Sequence, residues 1–99
     1  MNSSNKRKHD APRPLTKYEI ARILSTRAEQ LARGAVTTVP LYVKENRLDT
    51  HSAIALAELA LGRIPLLIVR PFPDGKNETV RVIGQIGDRM YKTQRVSST

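Results

Sequence analysis

Arg22, Arg27 and Arg33 recur along residues 15–34 (LTKYEIARILSTRAEQLARG), and Arg70 closes an apolar run further on. A guanidinium has two main uses in a site. It binds phosphate oxygens, or it forks onto a carboxylate. Both are binding chemistries. The residue types that break bonds are poorly placed here. His9 and His51 lie in a tail and at the start of an apolar helical run, with no spacing that joins them to carboxylates as metal ligands. Glu19, Glu29 and Glu58 each have a helical explanation, so no pair stands out for acid–base work. Ser3, Ser4, Ser25, Ser52, Ser97 and Ser98 occupy no nucleophile elbow. The five glycines are scattered and build no phosphate loop. Cysteine is absent, which excludes a disulfide framework and a thiolate metal site. The chain reads as a binding protein with no catalytic residue, no cofactor, no metal and no small-molecule substrate.

The arginines need elements to hold them. Residues 15–34 predict an amphipathic helix. Thr16 as N-cap and Glu19 three residues on form a capping box, and Pro14 cannot join the helix interior. Ile20, Ile23, Leu24, Ala28 and Leu31 make one apolar stripe, and Gly34 sits where a left-handed cap belongs. Residues 35–48 read as a short extended segment that ends in a polar turn, Lys44–Arg47. Pro40 bars that segment from the centre of a sheet. A second helix follows a cap at Asp49 or Thr50 and stops at Gly62 before Pro65. Its apolar residues run around most of the circumference, and Glu58 is the polar exception. Residues 64–70 (IPLLIVR) predict a buried strand, Phe72-Pro73-Asp74-Gly75 a turn, and Thr79–Ile83 a return strand. A lone hairpin is marginal in water, so it must pack on the helices or extend a partner's sheet. Beyond Gly84 the pattern weakens.

Ninety-nine residues allow one small domain, and one Phe with no Trp leaves its core to Ile, Leu, Val and Ala. Such a domain is expected to gain stability from a partner. The net charge is +8, and most of it lies in the two tails, 1–14 and 81–99. That favours an acidic partner, nucleic acid or protein. Lys6-Arg7-Lys8 is a weak import patch, and residues 1–14 read as a disordered basic tail. No stretch resembles a signal peptide or a membrane span. Composition alone leaves an independent basic DNA-binding module as an alternative. However, the second helix is Ala/Leu-rich and carries no base-reading side chain.

Three segments, in order, resemble one family. Leu15-Thr16-Lys17-Tyr18-Glu19 with Ala21-Arg22-Ile23-Leu24 and Thr26-Arg27-Ala28 is similar to the first-helix motif of the small sixth subunit of eukaryotic RNA polymerases, whose family includes archaeal K and bacterial omega. Ile54-Ala55 with Glu58-Leu59 resembles its second helix. Ile64-Pro65-Leu66-Leu67-Ile68, Arg70 and Pro73-Asp74-Gly75 resemble its helix-to-hairpin junction. The resemblance implies an α+β, omega-like fold, with a small bundle of two main helices followed by a C-terminal β-hairpin. The domain would span 15–83, with 84–99 a flexible or partner-ordered extension. It implies a non-catalytic subunit of a DNA-directed RNA polymerase that clamps the largest subunit and promotes assembly, meeting DNA only through the complex. Tyr18, Arg22, Arg27, Ile64, Pro65 and Arg70 are then expected to meet the largest subunit, with Thr16 and Glu19 as helix caps. The expected location is the nucleus, or cytoplasm or virion for an archaeal-like or viral polymerase.

Overall fold

The structure is a computed structural model, and it describes residues 12–98, with side chains to 97. The expected disordered tail lies mostly outside the described residues, including Lys6-Arg7-Lys8 and His9. Helix α1 (Lys17–Ala32) begins as its sequence demands. Thr16 accepts from the amide of Glu19 at 3.1 Å, and Glu19 accepts from the amide of Thr16 at 2.9 Å. Gly34, at φ 104°, turns the chain out of the helix.

The next segment differs from the sequence expectation. Residues Pro40–Glu45 form a short helix, α2, and not an extended crossing. Pro40 sits in its first turn, where its missing N–H would have no intrahelical partner anyway. The proline that argued against a strand was a helix start. The chain leaves α2 through Arg47, a non-glycine residue at φ 52°. Of the two cap candidates for the next helix, α3 (His51–Ala60), Thr50 is the cap and accepts from the amide of Ala53 at 3.1 Å.

Three antiparallel strands follow, β1 (Leu67–Pro71), β2 (Asn77–Gly87) and β3 (Met90–Ser98), in the spatial order β1-β2-β3. The 73–75 turn forms as predicted, with Gly75 at φ 87° and its amide donating to Phe72 O at 3.0 Å. Val80 and Val82 face inward and Arg81 outward, as their alternation requires.

Two strand expectations are corrected. The 64–70 run is not a strand buried on both faces. β1 is an edge strand whose Leu67 and Val69 are exposed while Arg70 is buried. The stretch after Gly84, expected to be flexible or ordered only by a partner, completes β2 and forms β3. Tyr91 and Thr93 of β3 are buried and alternate with exposed Lys92 and Gln94.

The core is one cluster of Leu15, Ile23, Leu59, Ile64, Val82 and Tyr91, flanked by Ile20, Leu24, Ala60, Leu66 and Ile68. It joins α1 and α3 to the inner sheet face, so helices and sheet are one unit. The fold is α+β with the helical bundle first, as the sequence predicts. It has one more helix and one more strand than expected.

Candidate docking site and its buried ion pairs

The apolar stripe of α1 explains Ile23 and Leu31, but the same face also buries Arg27, 4 % exposed. Its partner is Glu58 of α3, 0 % exposed. Arg27 Nε donates to Glu58 Oε1 at 2.6 Å, and Arg27 Nη2 donates to Oε2 at 3.1 Å. The pair extends into the α1–α2 connection. Arg27 Nη2 also donates to Val36 O at 2.9 Å. Glu58 Oε2 accepts from the Thr37 hydroxyl at 2.8 Å and the Thr38 amide at 3.0 Å. Two helices and a loop thus share one pair of charges. An isolated buried charge would cost several kcal/mol, roughly what such a geometry must offset. Burial pushes the Glu58 carboxyl up. The hydrogen bonds from Arg27, Thr38 and Thr37 together outweigh it and hold the group below the usual 4.5.

A second pair closes the other end. Arg70 of β1, 3 % exposed, grips Glu19 with both arms, Nε to Oε2 and Nη2 to Oε1, each at 2.9 Å. Its remaining donors hold the chain ahead of α1, with Nη1 reaching Arg13 O at 2.9 Å and Nη2 reaching Pro14 O at 3.2 Å. Glu19 is therefore both cap and clamp. The Arg70 hydrogen bond is the main force that holds its carboxyl below 4.5, against a smaller push upward from burial and with help from the Thr16 amide.

Among the described residues, no buried side-chain nitrogen or oxygen lacks a hydrogen-bond partner.

These shifts fix a pH dependence. Both carboxyls have folded pKa values below their unfolded ones. The stability they contribute is complete above about pH 5 and lost as pH falls through 4.5 and below. Urea unfolding is expected to give a midpoint that is flat from pH 5 to 7 and falls steeply toward pH 3. A midpoint that rises on acidification would contradict the assignment.

The sequence-predicted site residues divide into two groups. Arg27, Arg70 and Ile64 are buried inside the domain, so their side chains are occupied by Glu58, by Glu19 and by the core. Tyr18, Arg22 and Pro65 are exposed. The three-arginine row of α1 is thereby broken. Arg27 is internal and Arg33 bonds Glu29 at 3.3 Å, which leaves Arg22 as the one α1 arginine without an ion pair among the described residues.

The other side of this arrangement answers to the apolar belt that the sequence shows around most of α3. With the charges turned inward, apolar groups are turned out. Val36 is 82 % exposed and Leu41 73 %, and Leu56 and Leu61 of the α3 region are also exposed. A groove of ≈ 380 Å³ between α2, α3 and the sheet is lined by Tyr42, Leu48, Leu56, Ala57, Ala60 and Tyr91, among others. The periodicity of α3 carried the signal: an apolar belt wider than one core face leaves a leucine outside when a glutamate goes in. Among the described residues no group of His, Asp and Glu could hold a metal ion, and no helix is long and apolar enough to cross a membrane.

The domain thus turns its ion pairs inward and leaves leucines at its surface. The chain also matches known proteins. The family model RNA polymerase Rpb6 matches residues 13–66, more than half of the sequence. DNA-directed RNA polymerase subunit Rpo6 of Sulfurisphaera tokodaii is 49 % identical over 70 residues, covering 69 % of this chain and 77 % of the relative. Rpo6 of Pyrobaculum aerophilum is 45 % identical over 78 residues, covering 79 % and 71 %. Subunit RPABC2 of DNA-directed RNA polymerases I, II and III from Schizosaccharomyces pombe is 47 % identical over 64 residues, covering 65 % of this chain and 42 % of the relative. The chain belongs to the Rpb6 family of small RNA polymerase subunits, the omega/K family that its three sequence blocks resemble.

Proposed function

We propose that this chain is a non-catalytic subunit of a DNA-directed RNA polymerase that clamps the largest subunit and promotes assembly of the enzyme. The observation that carries the reading is the inverted polarity of a family member: Glu58 and Arg70 are buried while Leu41, Leu56 and Leu61 are exposed. Burying one such leucine against a partner is worth about 1.5–3 kcal/mol, which suits a subunit held by shape and not by chemistry. Tyr18, Arg22 and Pro65 are the outward contacts of this reading. Arg27, Arg70 and Ile64 act behind them by fixing α1, β1 and the junction. The polymerase is the link to DNA, and its compartment is the location, the nucleus for a eukaryotic enzyme.

The test is co-expression with the largest subunit of the polymerase from the same source. A stoichiometric complex is expected from the wild-type chain. Leu41→Glu with Leu56→Glu should weaken it at least about tenfold while leaving the isolated domain folded. A wild-type chain that stays alone would overturn the proposal. A salt-dependent shift of free DNA by the isolated chain would favour an independent DNA-binding module instead.

A further inference from the structure

β1 has one side paired with β2 and the other open. Which of its main-chain groups face the open side follows from the hairpin. Phe72 N donates to Lys76 O at 2.8 Å, so Phe72 and Lys76 are a hydrogen-bonded pair. Bonded and non-bonded pairs alternate along an antiparallel ladder. In the observed register, Arg70↔Glu78 and Ile68↔Val80 are then bonded, while Val69↔Thr79 and Leu67↔Arg81 are not. The N–H and C=O groups of Leu67 and Val69 therefore point away from β2. None of the four meets a hydrogen-bond partner among the described residues. Pro71 falls at the same phase, so its missing N–H is on the open side as well.

A groove of ≈ 320 Å³ runs along this edge. One wall is four consecutive residues, 66–69, the last three of them in β1, and successive strand residues that share a wall present the backbone edge to it. The other wall is Glu19, Arg22, Ile23 and Thr26, whose i, i+3, i+4, i+7 spacing is one face of α1. Ile23 and Ile68 belong to the core assembly and supply an apolar base. The groove has two charged residues. The carboxylate of Glu19 is taken by Arg70, and Arg22 has no ion-pair partner among the described residues. The space thus offers unpaired main-chain groups, an apolar base and one free cation.

We propose that this groove receives a strand: an extended, carboxylate-bearing segment of the polymerase's largest subunit adds to β1. It pairs with the outward groups of Leu67 and Val69, covers Ile23 and Ile68 with an apolar side chain, and sets an acid on Arg22. The proposal rests on the assembly reading above and names where one part of that contact forms. Charge selects this occupant over a second copy. Two chains of net charge +8 joined edge to edge would repel, whereas an acidic segment is drawn in.

Amide hydrogen exchange tests it, with exchange carried out on the isolated chain and on the assembled polymerase and read on the released subunit. In the isolated chain the Leu67 and Val69 amides should exchange fast, and those of Ile68 and Arg70 slowly. On assembly the first two should slow by about 100-fold and the second two stay slow. Fast Leu67 and Val69 amides in the assembled enzyme would sink the strand while leaving the assembly reading intact. Protection already present in the isolated chain would overturn it too, in favour of the chain's own residues 1–11 or, if protection grows with concentration, of a second copy. Failure of the wild-type chain to assemble at all would sink the assembly reading itself, and the strand with it. Val69→Pro removes an outward N–H, puts its ring on the open edge and breaks no bond to β2, so circular dichroism should match wild type while affinity for the largest subunit falls at least about tenfold. Unchanged affinity of a folded Val69→Pro chain would refute the proposal, and if that variant does not fold, the exchange result decides.

Discussion

Arg27→Met should destabilise this domain severely, and the damage should be repaired in part by a second change, Glu58→Leu. The first substitution leaves a fully buried carboxylate that loses two of its four hydrogen bonds and its counter-charge. Removing one partner of a buried pair costs about 3–5 kcal/mol, out of a total of about 5–15 kcal/mol for a small domain. At about 4–8 °C per kcal/mol for this size, Tm should fall by more than about 12 °C. The double variant removes both charges and keeps apolar volume, so it should be more stable than Arg27→Met alone. Thermal denaturation of the wild type, both single variants and the double variant measures the coupling. Additive losses would show that the pair is not a unit. Arg33→Met should cost little by comparison, because its pair with Glu29 is solvent-exposed.

Gly62→Ala should destabilise as severely as breaking a buried contact, although it adds one methyl. Gly62 ends α3 at φ +72°, and a Cβ built there would lie 2.5 Å from Ile83 O and 2.6 Å from Ile83 C. Both are backbone atoms of β2, so no side chain can swing away. Helix end and strand would have to separate where the helical layer meets the sheet. Gly75→Ala is the matched control. Its φ is +87°, yet nothing lies within 4 Å of the added atom. It should lose only the conformational term, about 1–2 kcal/mol. Gly62→Ala should lose at least about twice that in chemical denaturation. Equal losses at the two sites would mean that the close approach to Ile83 is unimportant.

Local signals were legible in the sequence, and long-range ones were not. The Thr16–Glu19 capping box, the Gly34 exit, the Thr50 cap and the Asp74-Gly75 turn all depend on residues within four positions of one another. Each formed as its chemistry required. The three motif blocks were equally readable, since they are strings. The burial of Glu58 and Arg70 was hidden because their partners lie 31 and 51 residues away. A lone acid on an apolar helix reads as the solvent side until the facing arginine is known. Pro40 was ambiguous, because the same residue forbids a central strand and starts a helix. β3 was missed for a different reason. Its inward positions, Tyr91 and Thr93, alternate correctly, but Lys92, Gln94 and Arg95 make the segment polar overall, and polarity outweighed period.

The earliest described residues of the chain are held by its last strand. Thr93 Oγ1 donates to Arg13 O at 2.8 Å, across 80 positions, and Leu15 N donates to Tyr91 O at 3.1 Å. These bonds close a loop of 80 positions. Closing so long a loop costs chain entropy, and contacts this far apart in sequence slow the search for the folded state. The packing of α1 on α3 spans far fewer positions, as the Arg27–Glu58 separation of 31 shows. The seam between Leu15 and Tyr91 is therefore expected to close after the helices have met.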